Sequence, residues 1–379
     1  MELSILEYED LLSAFQTEGD LMEVKPLGAG LINDTFLVST TKNKYVLQRI
    51  NDSIFRDIEL LQRNITVVTS HIRNKLQERG VEDIDRKVLT FIPDRQSPAK
   101  TYVQAPDGSY WRLSLYIEDS YTYDSVTPEY SRLAGQAFGE FESLLVDIKE
   151  PLGETIPDFH NMNLRMSQLR EAVAADPLGR LRGAQELRGQ TSEQGGGLLE
   201  LVELAEKNAE RMCSAQEWYE QGKLRKRICH CDTKVNNILF DREGNALCVI
   251  DLDTVMPSFV FSDFGDFIRT AANPVPEDSP EYDKIELRMD IFEAFTEGYL
   301  RGAGDFLEEI EIENLPFAAE LFPFMQAVRF LCDYINGDTY YKISYPEHNL
   351  VRARNQFRLF ESACSKEEQM RAFISKLRN

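Results

Sequence analysis

The sequence predicts an α+β chain in two lobes: a small N-terminal lobe of antiparallel sheet with one helix over residues 1–117, and a larger, mainly helical lobe over 118–379. Three observations carry this. Short apolar runs bounded by polar turns crowd the first 117 residues. A single long amphipathic pattern interrupts them. From Thr127-Pro128 onward, helical periodicity dominates to the end. At 379 residues the chain is long enough for two substantial cores.

Taken in order, Glu23 to Leu27 reads as a strand leading into Gly28-Ala29-Gly30, and Thr35 to Ser39 as the next. The polar turn Thr41 to Lys44 joins that strand to Tyr45–Ile50 as a hairpin. Leu60, Leu61, Val67, Val68, Ile72 and Leu76 place one apolar stripe on a helix from about Asp57 to Arg79. Val88 to Ile92 with Thr101 to Val103, and Trp111 to Ile117 after the Asp107-Gly108 turn, supply the remaining strands. Thr127 caps a helix whose first residue is Pro128, with Leu133, Ala137, Phe138, Phe141, Leu144 and Leu145 as its core stripe. Within the helical part, Ile238 to Phe240 and Leu247 to Ile250 flank the turn Asp241 to Asn245 and read as a further hairpin. The stretch from Gly189 to Gly197 reads as a surface loop.

Composition narrows the classes of function. The formal net charge is −22, a field that repels polyanions and makes nucleic acid a poor partner, although a local cation cluster still accommodates one nucleotide. No apolar run reaches the ~18–20 residues of a membrane span, and the acidic N-terminus lacks the basic start of a secretory signal. Six scattered cysteines do not make a disulfide scaffold, so a reducing cytoplasm is expected.

The most informative run is Cys229-His230-Cys231-Asp232-Thr233-Lys234-Val235-Asn236-Asn237, followed by Val249 to Asp253. It places His230, Asp232 and Asn237 at H-x-D-x-x-x-x-N spacing and Asp251 after the next apolar strand. Phosphoryl transfer on a kinase-like bilobal fold needs this set: a carboxylate that orients the attacking hydroxyl and takes its proton, and two oxygen donors for Mg²⁺ on the nucleotide phosphates. Asp232 is the expected base. His230 braces the loop backbone, and Lys234 sets a positive charge beside the migrating group. Asn237 and Asp251 are the expected metal ligands, since hard Mg²⁺ takes oxygen donors. Asp263-Phe264-Gly265 spells the protein-kinase metal motif but lies too far downstream, so Asp263 is expected to be a buried brace that accepts backbone N–H groups from the loop. Asp253 and Thr254 face substrate or metal. Cys229 and Cys231 lack paired zinc-ligand spacing and read as buried packing residues.

Gly28, Ala29 and Gly30 read as a turn that lets backbone approach phosphate. No Gly-Lys-Ser/Thr follows, so this is not a P-loop. Arg49, better than Lys44 in the turn, is the expected phosphate cation. Tyr116 to Glu118 is the expected hinge, where backbone groups bond adenine.

These residues resemble the aminoglycoside phosphotransferase and choline kinase superfamily. Pro157 to Asn161, Asp263 to Asp266, Arg329 to Leu331, Asp333-Tyr334, Gly337-Asp338 and His348 to Arg354 make the chain look most like the N-acetylhexosamine 1-kinases. The resemblance implies a protein-kinase-like fold, ATP as co-substrate, Mg²⁺ as cofactor, and transfer of the γ-phosphate to the anomeric hydroxyl of N-acetylglucosamine or N-acetylgalactosamine. No obligate protein partner is evident from the sequence. It also makes Asn33, Asp232, Thr254, Arg329 and Tyr340 candidates for sugar contacts. Leu31 and Cys231 stand where the resemblance predicts polar residues. A kinase for another small alcohol, of aminoglycoside, choline or homoserine type, is the nearest alternative. A catalytically inactive kinase-like binding module is the third, disfavoured because binding alone does not need a base and both metal ligands.

Overall fold

In the computed structural model the described residues are 4–28, 32–123, 126–186 and 197–378. Ala29, Gly30 and Leu31 of the expected phosphate turn, and residues 189–196 of the expected surface loop, lie outside them.

Along the chain the first elements are α1 (Ile5–Ser13), β1 (Leu21–Pro26), β2 (Asp34–Thr40), β3 (Lys44–Ile50), α2 (Ile58–Glu78), β4 (Tyr102–Gln104) and β5 (Tyr110–Leu115). Next come α3 (Pro128–Leu145), α4 (Met162–Ala175), α5 (Arg180–Glu186), α6 (Leu198–Met212), α7 (Ser214–Glu220), β6 (Arg227–Cys229), β7 (Ile238–Phe240), β8 (Ala246–Val249) and β9 (Met256–Ser258). The chain closes with α8 (Phe261–Ala271), α9 (Met289–Ala303), α10 (Glu309–Glu313), α11 (Leu315–Ile335), α12 (His348–Ser365) and α13 (Glu367–Arg378). Two compact units divide it. The first comprises residues 1–122, 144–157 and 237–256, and the second 123–143, 158–236 and 257–379. A single cut after residue 117 therefore misses that the β7–β8 hairpin belongs with the small sheet.

The first unit is built on a five-stranded antiparallel sheet in the order β1-β2-β3-β5-β4. Side chains alternate across it. Phe36, Val38, Tyr45, Leu47, Trp111 and Leu113 form one face, against which Tyr8, Leu11, Leu12 and Phe15 from α1 and its end are packed. α1 is held by a capping box between Ser4 and Glu7, a signal present in the sequence but too short to register as periodicity. Asp57 caps α2 by accepting the Leu60 N–H at 2.9 Å. Val88 to Ile92 is not a ladder strand. It meets β5 at the isolated bridge of Phe91 with Ser114, through the Ile92 N–H to Leu113 carbonyl and Leu115 N–H to Thr90 carbonyl bonds. Pro93 follows and has no N–H to extend a ladder.

The second unit is helical, as expected. Thr127 caps α3 by accepting the Tyr130 N–H at 3.2 Å. Its centre is α11, in which eighteen residues are buried. This corrects the expectation on apolar runs: Leu315–Ile335 is long and apolar enough to cross a membrane, but 83% of its most apolar window is buried against the rest of the unit.

α3 and α9 meet backbone to backbone through Gly135 and Gly139 on one helix and Gly298 and Gly302 on the other. A Cβ on Gly298 would lie 1.9 Å from the Arg132 carbonyl oxygen, and one on Gly302 2.1 Å from that of Gln136. Neither neighbour is a movable side chain. The ordinary helix gain of alanine over glycine, about 0.5–1 kcal/mol, is therefore outweighed by overpacking of about 1–3 kcal/mol or more. Gly298→Ala is expected to lower the urea midpoint without changing the slope. Gly183→Ala in α5, where nothing lies within 4 Å of the added Cβ, is expected to be neutral or slightly stabilising.

Candidate active site

In the second unit, β6 ends at Cys229 and the chain turns sharply at Cys231, a non-glycine residue in the left-handed region with φ 63°. That conformation costs roughly 1–2 kcal/mol and persists because Asp263 holds it. Its two carboxylate oxygens accept the His230 N–H at 2.7 Å and the Cys231 N–H at 2.6 Å, and its carbonyl accepts the Thr233 hydroxyl at 2.6 Å. Asp263 sits in the first turn of α8 and is fully buried. The brace expected from sequence is thus present in geometry.

His230 is fully buried, its ring edge-on to Phe138 at 5.4 Å and Phe141 at 5.9 Å, and its Nδ1 accepts the Asp232 N–H at 3.3 Å. The result is that Asp232 projects from a rigid turn, a quarter exposed, with the Lys234 ammonium 2.7 Å from its carboxylate. A carboxylate fixed on a rigid turn is the arrangement a proton-accepting group needs. The Cys229 and Cys231 thiols are buried, and burial first, then the Asp263 carboxylate, pushes both well above the usual thiol range. They are held as thiols, in line with packing rather than thiolate chemistry.

Asp266, one turn on in α8, pairs with Arg269 at 3.0 Å, and Arg269 also binds Glu277 at 3.0 Å. Burial raises the Asp266 carboxyl, while Arg269 opposes that shift. Farther along this unit, Arg329 lies over Phe159 at 5.6 Å, Tyr341 at 5.6 Å and Tyr340 at 6.0 Å, and donates to Gln326 at 3.1 Å. The loop carrying Tyr340 is pinned by Asp333, which accepts the N–H groups of Thr339, Tyr340 and Tyr341. Tyr340 itself is 69% exposed. The structure therefore brings Arg329 and Tyr340 together around a partly open aromatic edge. His160 is held neutral: burial first, then Arg329, Arg165 and Arg269, pushes its imidazole well below the usual range.

In the first unit, β7 and β8 pair Ile238 with Val249, and the Ile250 N–H donates to the Asn237 carbonyl at 2.9 Å. This local hairpin sets Asn237 near Asp251, which is exposed and left-handed at φ 62°. An amide oxygen and an accessible carboxylate at the open end of one hairpin are hard donors of the kind Mg²⁺ takes, so these residues fit that ion.

The next turn differs from expectation. Asp253 is buried and forms an ion pair with Arg112, also buried, and accepts the Asn33 side-chain N–H at 2.6 Å. Thr155 donates to the Asp253 carbonyl at 2.8 Å, and Asn33 Oδ1 accepts the Asn51 N–H at 2.9 Å. Both ends of the Asn33 amide are thus engaged within the unit, which makes it a brace for Asp253 rather than an open sugar contact. Thr254 is buried in the same turn.

Arg49 requires a second correction. It shares its sheet face with Leu47 and Trp111, the α1 side. Gln48, one residue earlier, faces the other way and pairs across the sheet with Arg112, accepting its Nε–H at 2.9 Å. Displacement by one residue moves a strand side chain to the opposite face, so the cation on the Asp253 face is Arg112. Sequence reading missed it because β5 looks like a plain apolar strand; only the register with β3 singles it out. Gly28 is left-handed at φ 71°, as a turn glycine should be. Tyr116 donates its N–H to the Lys44 carbonyl at 3.0 Å, and exposed Glu118 pairs with Lys44 at 3.1 Å. The Glu118 carbonyl accepts from Arg86 at 3.3 Å.

Comparison with known proteins gives the family and the fold. The family model described as "Phosphotransferase enzyme family" matches residues 23–309. Among solved structures, a microcompartment-associated aminopropanol kinase superposes with a TM-score of 0.60 at 16% identity, over 97% of this chain and 99% of that one. The ethanolamine kinase of Plasmodium vivax gives 0.53 at 13% identity, over 95% and 87%. A spectinomycin phosphotransferase in complex with ADP and spectinomycin gives 0.52 at 13%, over 97% and 100%. The structures share the fold, with its small antiparallel sheet lobe and larger helical part. A family match over most of the chain carries more than the fold, and it shows that this protein belongs to the phosphotransferase enzyme family.

Proposed function

We propose that this protein transfers the γ-phosphate of ATP to a small-molecule hydroxyl, and that the acceptor is the anomeric hydroxyl of an N-acetylhexosamine. The observation that carries the first part is the Asp263 clamp on the backbone of His230 and Cys231, which fixes Asp232 beside Lys234. Asp232 accepts the acceptor's proton as the new phosphorus–oxygen bond forms, and Lys234 stabilises charge on the transferred group. Asn237 and Asp251 would hold Mg²⁺, which when bound neutralises charge on the nucleotide phosphates. Arg112 and Asn33 fix Asp253 and thereby the turn that follows Asp251. The Gly28 turn contributes backbone N–H groups to the phosphates, and the Tyr116 to Glu118 segment receives the adenine.

The acceptor follows from charge and from the resemblance. Arg329 and Arg165 lie close enough to His160 to lower its imidazole further, after burial, a poor setting for a cationic amino alcohol. A neutral sugar instead gains ring stacking on Tyr340 and donors from Arg329. An anomeric hydroxyl is also a more acidic nucleophile than an ordinary alcohol. The second reading, an amino-alcohol or aminoglycoside acceptor, draws on the solved structures named above and on the net charge of −22. Phosphorus NMR of ATP reactions with N-acetylglucosamine, N-acetylgalactosamine, choline, ethanolamine and an aminoglycoside separates the two. A sugar 1-phosphate resonance only with the hexosamines is expected; product from an amino alcohol or aminoglycoside alone transfers the assignment to the second reading.

A further inference from the structure

Behind the catalytic loop, in the second unit, two buried carboxyl groups lie close together. Glu142 on α3, Asp263 on α8 and the Cys229 thiol on β6 bring their potential ligand atoms within 4.8 Å of one another, all buried. The Tyr299 hydroxyl on α9 donates to Glu142 Oε2 at 2.7 Å, while Glu142 Oε1, also buried, has no partner if both carboxyls are ionised. Each Asp263 oxygen is already an acceptor, one from His230 and one from Cys231. Two ionised carboxylates with oxygens within 4.8 Å of each other in a dry interior are untenable without a shared proton or a metal. The shared proton is the simpler reading, because both Asp263 oxygens already accept loop N–H groups and Glu142 Oε2 already accepts the Tyr299 hydroxyl, which leaves a metal few uncommitted donors.

We propose that Glu142 is a protonated positioning residue whose carboxyl O–H, carried on Oε1, donates to Asp263 and so holds in place the acceptor that fixes the backbone on either side of the catalytic-loop turn. This gives both Glu142 oxygens a partner: Tyr299 donates to Glu142, Glu142 to Asp263, and Asp263 accepts from the loop. The groups facing Glu142 agree. Asp263 from α8 and Glu311 from α10 both disfavour its ionisation, burial is the largest cause, and only the Tyr299 hydrogen bond opposes them. The glycine contacts of α3 with α9 are what let Glu142 and Tyr299 approach. The functional part of the inference rests on Asp232 being the base.

The sign of its pH dependence is definite. Unfolded, Glu142 ionises near the usual carboxylate value, about 4.3; folded, it keeps its proton well above that. Between those values the native state binds more protons than the unfolded state, so stability falls as pH rises. A glutamine there donates and accepts similarly but never ionises. Glu142→Gln is therefore expected to melt increasingly above the wild type as pH rises from about 5 to 8. Its infrared spectrum above pH 7 should lack one protonated-carboxyl C=O band that the wild type shows. Glu142→Leu, with no donor, should lose roughly tenfold or more in kcat while KM for ATP stays within about twofold, and Glu142→Gln should restore kcat. A missing wild-type band, or a melting gap that does not grow with pH, overturns the proton assignment. Loss of kcat in Glu142→Gln as deep as in Glu142→Leu overturns the positioning role. A wild type that phosphorylates no acceptor fails the kinase reading instead, and leaves the band to decide the proton.

Discussion

Replacing Asp232 by asparagine is expected to lower kcat by about 10²–10⁴-fold, the usual contribution of a positioned general base, which corresponds to roughly 3–5 kcal/mol of transition-state stabilisation. The effect should fall on chemistry alone. The loop is held through the backbone N–H groups of His230 and Cys231 and through the Thr233 hydroxyl, none of which involves the Asp232 carboxylate. The ion pair with Lys234 is lost, but both groups are partly exposed, at 35% and 25%, so the stability cost should stay below about 1 kcal/mol. ATP affinity, measured by calorimetry, should remain within about threefold of the parent. Turnover near the parental rate would remove Asp232 from the mechanism.

The largest stability effect is expected at Asp253. Truncation to alanine strands the Arg112 guanidinium, 3% exposed, with only the Gln48 amide oxygen as a hydrogen-bond acceptor among the contacts described above. It also strips Asn33 of its acceptor. Breaking one side of a buried ion pair costs about 3–5 kcal/mol, because the remaining charge stays desolvated. An apolar pair of similar volume avoids that penalty. Asp253→Ala should lower the urea unfolding free energy by this amount, whereas Arg112→Met with Asp253→Leu should recover most of it. Both variants should still lose activity, since the turn after Asp251 loses its brace. If the single and double variants prove equally unstable, the ion pair is not what holds this turn.

Much of this was legible in the chain itself. The strands β1, β2, β3 and β5, helix α2 and the start of α3 follow from periodicity, turn residues and caps that act over a few residues. The same locality explains why the site could be read so far. His230, Cys231 and Asp232 share one turn, and a short hairpin joins Asn237 to Asp251, so spacing alone implies proximity. Even the Asp263 brace was readable, from its place in a motif that falls at the wrong distance for a metal ligand. Elsewhere local signals were ambiguous. Val88 to Ile92 has strand composition but no ladder. The apolar content of α11 is spread around the helix rather than along one stripe, as befits a helix buried on nearly all sides.

What tertiary structure alone decided is which distant polar groups meet. Gln48 and Arg112 are 64 positions apart, Arg112 and Asp253 141, and Glu142 and Tyr299 157. No periodicity in the sequence encodes such pairs. Strand register chose Arg112 over Arg49, because a step of one residue reverses the face a side chain occupies. Glycine contacts between two helices chose Glu142, because only bare backbones approach closely enough to bring its carboxyl to Tyr299. The chemistry of the loop was written locally, while the supports that hold it rigid exist only once the chain has folded.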